Sequence, residues 1–227
     1  VISPFFIMQP VWESIQRDAI APYQARKITG ADALSAAGGH VRAFMLRQAR
    51  AKDVELFVAL TLTLRLRTTY ELPWADAAWS GLFHAVSAFN NAGFSIHADG
   101  LVRHATDVFI LTPIMLAIVI GGLGFPVLHD LRRKFASPHR WSVHTKLTLV
   151  GTAVLLVGGT ILLLGFEWSN PRTLGPMAAG DKLLSAIFAS VSARTAGFNS
   201  IDIGGLTHES LGVHYFLMFI GGGSAGA

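Results

Sequence analysis

Two short stretches of the chain hold the residues best placed for chemistry, and neither relies on a conventional catalytic side chain. Leu82–Ile96 reads LFHAVSAFNNAGFSI, and Ile187–Ile201 reads IFASVSARTAGFNSI. Both follow the frame F-x-x-V-S-A, then three residues in the first copy or two in the second, then A-G-F; their glycines, Gly93 and Gly197, stand 104 positions apart. Self-similarity at that distance marks a duplicated unit rather than a solenoid. Each copy opens as a moderately apolar helical stretch, Ala75 to Phe89 and Lys182 to Ala193. Such stretches are too short to cross a bilayer and have the length of a re-entrant half-helix. Each then runs into backbone a helix would not choose, Asn91-Ala92-Gly93-Phe94-Ser95 and Thr195-Ala196-Gly197-Phe198-Asn199. Glycine opens backbone angles closed to other residues. In a membrane, irregular backbone is tolerated only where it lines a water-filled cavity or packs inside protein.

The chemistry open to such segments is coordination of an ion by main-chain carbonyls. A selectivity filter replaces the ion's hydration shell with carbonyls from an extended loop. The short helix before it aims the partial negative charge of its C-terminus at the ion. Small residues, here Ala then Gly in each copy, let successive carbonyls face one axis. The candidate ion-binding residues are therefore Asn91, Ala92, Gly93 and Phe94 with Thr195, Ala196, Gly197 and Phe198, acting through their carbonyls and without a side-chain metal site. Phe94 and Phe198 are expected to wedge outward against surrounding helices and hold the loop's width.

The elements that must position these loops are apolar. The chain has 227 residues, 52% hydrophobic and 14% charged, with a mean hydropathy of +0.48. A soluble domain carries about 25% charged residues, so this composition points to a membrane protein. Disorder is excluded by the same balance. With no cysteine there is no disulfide framework, thiolate metal site or cysteine nucleophile. The net charge of +4 fits membrane-protein loops better than nucleic-acid binding. Two uncharged runs, 21 residues from Val108 to Leu128 and 20 from Leu147 to Phe166, are long enough to span. Between them Arg132, Arg133, Lys134, Arg140 and Lys146 face only Asp130, which places the connection in the cytoplasm. Glu167 to Lys182 is neutral and carries Pro171 and Pro176, as an ordered outer loop would. Trp74, Trp79 and Trp168 suit the outer interface. Val54 to Leu64 is a shorter apolar run, followed at once by Arg65 and Arg67, so spanning requires both arginines to snorkel. Leu211 to Ile220 begins another apolar helix before GGGSAGA.

Other motifs carry less. GGGSAGA lacks the Gly-Lys-Ser/Thr ending of a phosphate loop. The nine histidines form no H-E-x-x-H motif and no nucleophile–base pair is evident, so no catalytic residue is assigned and an enzyme is not expected. His84, in the first short helix, reads as a packing residue. Arg194 reads as support behind the second loop, since a cation in a cation pathway would repel the ion. Gly121-Gly122 and Gly158-Gly159 read as sites of close helix packing.

SAFNNAGFS (Ser87–Ser95) and SARTAGFNS (Ser192–Ser200) resemble the second and third filter segments of the Trk/Ktr/HKT superfamily of potassium transporters, most closely the bacterial TrkH/KtrB membrane subunits. FPVLHDL (Phe125–Leu131), WSVHTKLTL (Trp141–Leu149) and MFIGGGSAGA (Met218–Ala227) resemble the connection between those repeats and the glycine-rich break in the third repeat's last helix. The resemblance implies an all-α, multi-pass protein of a bacterial plasma membrane, built from helix–pore-loop–helix repeats of the potassium-channel-like type, of which two of four are present here. It divides the chain into an N-terminal segment (1–53, cytoplasmic or undetermined), a second repeat (54–131), a cytoplasmic basic loop (132–146) and a third repeat (147–227) that stops in its last helix. It implies a K⁺ uptake pathway, with Na⁺ or H⁺ as coupling-ion alternatives and no cofactor, and a gate beneath the filter beginning at Gly221, Gly222, Gly223 and Ser224. The implied partners are a second copy of the chain, a cytosolic nucleotide-binding regulatory subunit and the lipid bilayer, with no nucleic acid. A non-conducting fragment with a structural or assembly role is the alternative.

Overall fold

A computed structural model describes residues 53–134, 137–194 and 196–221. The chain divides into two compact units, Val1–Val54 and Glu55–Ala227; the first falls almost wholly outside the described residues, and the fold below is that of the second. Among the described residues there is no strand: the structure is all-α. Helix α1 covers residues 53–69. It is followed by α2 (Trp74–Phe89), α3 (Val108–Leu123), α4 (Phe125–Lys134), α5 (Val143–Glu167), α6 (Ala179–Ala193) and α7 (His208–Ile220). Within Glu55–Ala227 two three-helix units share one plan, helix, short helix with its loop, helix: α1–α2–α3 is the first and α5–α6–α7 the second.

The short helices α2 and α6 are held on their neighbours by close approach of backbone. A Cβ added at Gly81 of α2 would lie 2.7 Å from the Ala59 carbonyl oxygen of α1, and one at Gly121 of α3 would lie 1.9 Å from that of Phe89. In the second unit Gly159 of α5 faces Ser190 of α6 at 2.5 Å, where the Ser190 hydroxyl donates to the Leu156 carbonyl (3.0 Å). Gly158 has open space around it and Gly122 only an ordinary contact, so in the pairs Gly121-Gly122 and Gly158-Gly159 one glycine each, Gly121 and Gly159, serves close packing. Leu163, Leu174, Ala186, Ala189, Ile201 and Leu206 form the apolar core of the second unit.

A buried carboxylate pins the same end of each unit. Asp107 caps α3, accepting from the Phe109 N–H (3.0 Å), the Arg65 guanidinium (2.9 Å) and the Tyr70 hydroxyl (3.1 Å). Glu167, fully buried at the end of α5, accepts from Asn170 (2.7 Å), from the Thr207 N–H and hydroxyl (2.9 Å each) and from the Thr173 hydroxyl. Thr207 is itself the cap of α7. One carboxylate thus ties first helix to last helix in both copies, although it comes from opposite members of the pair.

Three elements differ from the sequence expectation. Helix α1 does not stop at Leu64 but runs on through Arg65 and Arg67. Arg65, whose side chain is about a third exposed, is paired there with the buried Asp107, 42 positions away. The 21-residue run Val108–Leu128 is not one straight span: Gly124 takes a φ of +78° and ends α3, and the chain turns by 100° into α4. Phe94 and Phe198 do not share one environment, as two equivalent wedges would: Phe198 is buried, whereas Phe94 is 57% exposed. The run Leu147–Phe166 does form a single helix, α5, of 25 residues. It is the one helix among the described residues that is long and apolar enough by itself to cross a membrane. Trp74, Trp79 and Trp168 are all exposed.

Candidate ion-binding site

Helices α2 and α6 end where the repeated motif changes from V-S-A to A-G-F. After Phe89 the chain leaves the helical path, with Asn91 at φ +48° and Gly93 at +68°; Gly197 stands at +80°. The Ala92 N–H still donates back to the Ser87 carbonyl (2.8 Å), and the Ala196 and Gly197 N–H groups to that of Ser192 (3.0 and 3.1 Å). The serine of each motif then fixes the far side of its loop. The Ser87 hydroxyl donates to the Phe94 carbonyl (2.8 Å) and the Ser192 hydroxyl to the Phe198 carbonyl. Each short helix thus holds its own loop by a bond that the sequence reading did not assign. The signal was present, since the serine is one of the few residues common to both copies.

This bonding decides which carbonyls are free to meet an ion. Those of Phe94 and Phe198 are turned back to the serines, and that of Asn199 accepts from the Leu101 N–H (2.9 Å). Among the described residues, nothing donates to the carbonyls of Asn91, Ala92, Gly93, Ala196 and Gly197. Thr195 lies outside the described residues, so its carbonyl is not placed. A set of carbonyls without a donor at the C-terminal end of a short helix, where the helix carries partial negative charge, is suited to a cation.

The structure brings the two segments together. A Cβ at Gly93 would lie 2.1 Å from the Ala196 carbonyl oxygen and 2.8 Å from the Gly197 Cα. Two further links join the units: Leu101 N–H to Asn199, and the Ser185 hydroxyl of α6 to the Ala105 carbonyl (3.0 Å). Asn91 turns inward, its amide placed to donate to the Ile118 carbonyl (3.3 Å) and to accept from the Gly122 N–H (3.2 Å) of α3. Arg194 donates to the Gly221 carbonyl at the end of α7 (3.2 Å). Gly221 has a φ of +66° and terminates α7; Gly222, Gly223 and Ser224 lie outside the described residues.

A small pocket beside the first loop is lined by His84, His97 and His104 with Leu62, Leu66 and Leu101. His84 is buried, as packing required, and it is also hydrogen-bonded through both ring nitrogens. Among the described residues, no three His, Asp or Glu side chains are grouped to hold a metal ion.

Comparison with known proteins bears on what these segments serve. The family model for TrkH, described as a cation transport protein, matches residues 53–227. A second model, of the FliP family, matches residues 1–93, less than half of the chain. Ktr system potassium uptake protein B of Bacillus subtilis is 42% identical over 175 residues, which are 76% of this chain and 38% of that protein. The protein of the same name from Vibrio alginolyticus is 40% identical over 162 residues, 71% of this chain and 36% of its own length. Potassium/sodium uptake protein NtpJ of Enterococcus hirae is 40% identical over 154 residues, 68% and 34% respectively. The chain therefore spans 34–38% of the length of these relatives.

Proposed function

Because the chain belongs to the TrkH family of cation transport proteins, we propose that it forms part of the wall of a K⁺ pathway through a membrane. The observation that supports this reading is the pair of loops in contact: five free carbonyls at the C-terminal ends of two short helices, bracketed by phenylalanine carbonyls that are tied back. K⁺ sheds water at such a site because carbonyl dipoles replace it, and the helix ends add partial negative charge. Asn91 to Phe94 and Thr195 to Phe198 are the two filter segments, residues 54–131 and 147–227 the two pore-loop units. The exposed apolar face of α5, which includes Leu147, Val150, Val154, Val157 and Ile161, meets lipid. The basic connection around residues 132–146 lies on the cytoplasmic side.

Gly221, which follows the last residue of α7, belongs with Gly222, Gly223 and Ser224 to the gate of this reading, and the Arg194 bond to Gly221 supports a link from gate to filter. Two of these relatives are named as parts of a "Ktr system". In line with that, the proposal includes a second copy of the chain and a cytosolic nucleotide-binding regulatory subunit as partners. The test is K⁺ uptake by the complete protein in bacterial cells lacking their own uptake systems. Uptake that saturates with K⁺ and prefers it over Na⁺ supports the reading. Normal membrane insertion with no uptake would instead favour an assembly role.

A further inference from the structure

The connection between α4 and α5 gathers positive charge that its own acid does not balance. Asp130 is the single acid between His129 and Lys146, and its carboxylate is already engaged. It accepts from the Lys134 ammonium (3.0 Å), the Ser142 N–H (2.8 Å) and the Thr145 hydroxyl (2.9 Å). Together with a bond from the Trp141 indole N–H to the Lys134 carbonyl (3.0 Å), these tie the end of α4 to the start of α5. Arg132, Arg133, Arg140 and Lys146 are all exposed, and among the described residues no carboxylate pairs with any of them.

Two of these cations stand at the edge of an apolar face. Lys146 reaches back from the first turn of α5 to the His139 carbonyl (3.1 Å), so its ammonium stands beside the short turn Pro138–Arg140. On the helix itself Val143, Lys146, Leu147 and Val150 follow at i, i+3, i+4 and i+7 and share one side. The three apolar members of that set are exposed. Trp141, half-buried where the turn meets the helix, is the kind of ring that anchors at headgroup depth.

We propose that the foot of α5 is a binding site for an anionic phospholipid, its phosphate on Arg140 and Lys146 and the first carbons of an acyl chain along Val143 and Leu147. Arg132 and Arg133 add attraction from the end of α4. The proposal rests on the reading that the exposed face of α5 meets lipid; what it adds is the class of lipid. A soluble anion or an acidic protein surface would match the charge but leave the adjoining valine and leucine in water, where apolar area is unfavourable. A phosphatidylcholine headgroup would suit the apolar side, but it is neutral and brings its own ammonium group toward the two cations. A lipid of net negative charge satisfies both. Lysine and arginine suit this boundary because their stems lie on apolar surface while the charge stays at the headgroups.

The test is lipid binding by the complete protein, purified in detergent and titrated with phosphatidylglycerol or phosphatidylcholine, with the rise in thermal unfolding temperature as readout. Wild type should bind phosphatidylglycerol about tenfold or more tightly than phosphatidylcholine. About 0.5 M salt should remove most of that difference, because it shortens the screening length to about 4 Å. Arg140→Gln with Lys146→Gln should weaken phosphatidylglycerol binding about 25-fold, roughly fivefold for each charge removed, and leave phosphatidylcholine binding unchanged. Arg140→Lys with Lys146→Arg, which keeps both charges, should bind like wild type. Unchanged phosphatidylglycerol binding in the double glutamine variant would overturn the proposal and leave these residues to a soluble partner. Equal binding of the two lipids by wild type would overturn it as well. If the double variant fails to insert, Arg140→Gln alone, at an exposed side chain, decides by its fivefold loss. A protein that stays in solution without detergent would defeat the lipid-facing reading of α5 itself, whereas a detergent-requiring protein that does not distinguish the lipids defeats only this inference.

Discussion

Gly93 and Gly197 meet backbone to backbone, and the contact is unequal. A Cβ on Gly197 would rest 3.6 Å from the Gly93 Cα, ordinary van der Waals distance. A Cβ on Gly93 would strike the Ala196 carbonyl oxygen at 2.1 Å. The repeat places a glycine at the same point in both copies, but the packing asks more of the first. Both have positive φ, so both are costly to replace for backbone reasons, and only Gly93 is also costly for want of space.

Gly93→Ser should therefore destabilise the protein by about 3 kcal/mol or more, strain and overpacking together. Gly197→Ser should cost about 1–2 kcal/mol, the strain alone. Gly158→Ser, in open space on α5, should be neutral or slightly stabilising, within about 0.5 kcal/mol. Thermal unfolding in detergent gives the ranking, and K⁺ over Na⁺ uptake should change only in the first two. Equal losses at Gly93 and Gly197 would contradict the geometry.

Ser87→Ala and Ser192→Ala each remove the hydroxyl that holds a phenylalanine carbonyl away from the free set. Stability should fall by about 1 kcal/mol per serine. Ion preference should fall as well, because a released carbonyl is free to turn. Loss of stability with unaltered preference would reduce these serines to ordinary loop anchors.

Asp107→Ala should cost about 1–3 kcal/mol, since it strips the α3 cap and takes from the partly exposed Arg65 guanidinium and Tyr70 hydroxyl their partner. With Arg65→Met made in the same chain, the total should be less than the sum of the single changes. Additive losses in a double-mutant cycle of unfolding free energies would show that the pair is not coupled.

His104 supplies a pH dependence separate from ion preference. It is buried, and among the described residues its Nδ1 has no hydrogen-bond partner; burial, then the charges of His97 and Arg103, lowers its pKa to about 4. The unfolded chain binds this proton near pH 6.5 and the folded one only near 4, so the unfolded state gains protons first as pH falls. Stability is then complete above about pH 6.5 and declines between there and about 4, by up to about 3 kcal/mol. His104→Phe should flatten this part of the profile in urea unfolding; an unchanged slope would assign the proton to another group.

Properties that depend on a residue and its near neighbours were legible in the sequence. The duplicated motif, the two short helices ending at Phe89 and Ala193, the long α5 and the departures at Gly93 and Gly197 follow from apolar run length and from glycine's freedom at positive φ. The resemblance to the family was carried by those same residues. Partners distant in the chain were not legible, because a polar group in a helix does not reveal in sequence what will satisfy it. Asp107 pairs with Arg65 of α1 from 42 positions away, and the break at Gly124 depends on how α4 must turn to reach α5. His84 was read only as a packing residue because a histidine among apolar residues looks the same whether it fills space or holds Ser95. Phe94 and Phe198 occupy one position in the repeat, yet only Phe198 is buried. A repeat sets residue type, whereas burial depends on which helices stand beside each copy, and that is decided in three dimensions.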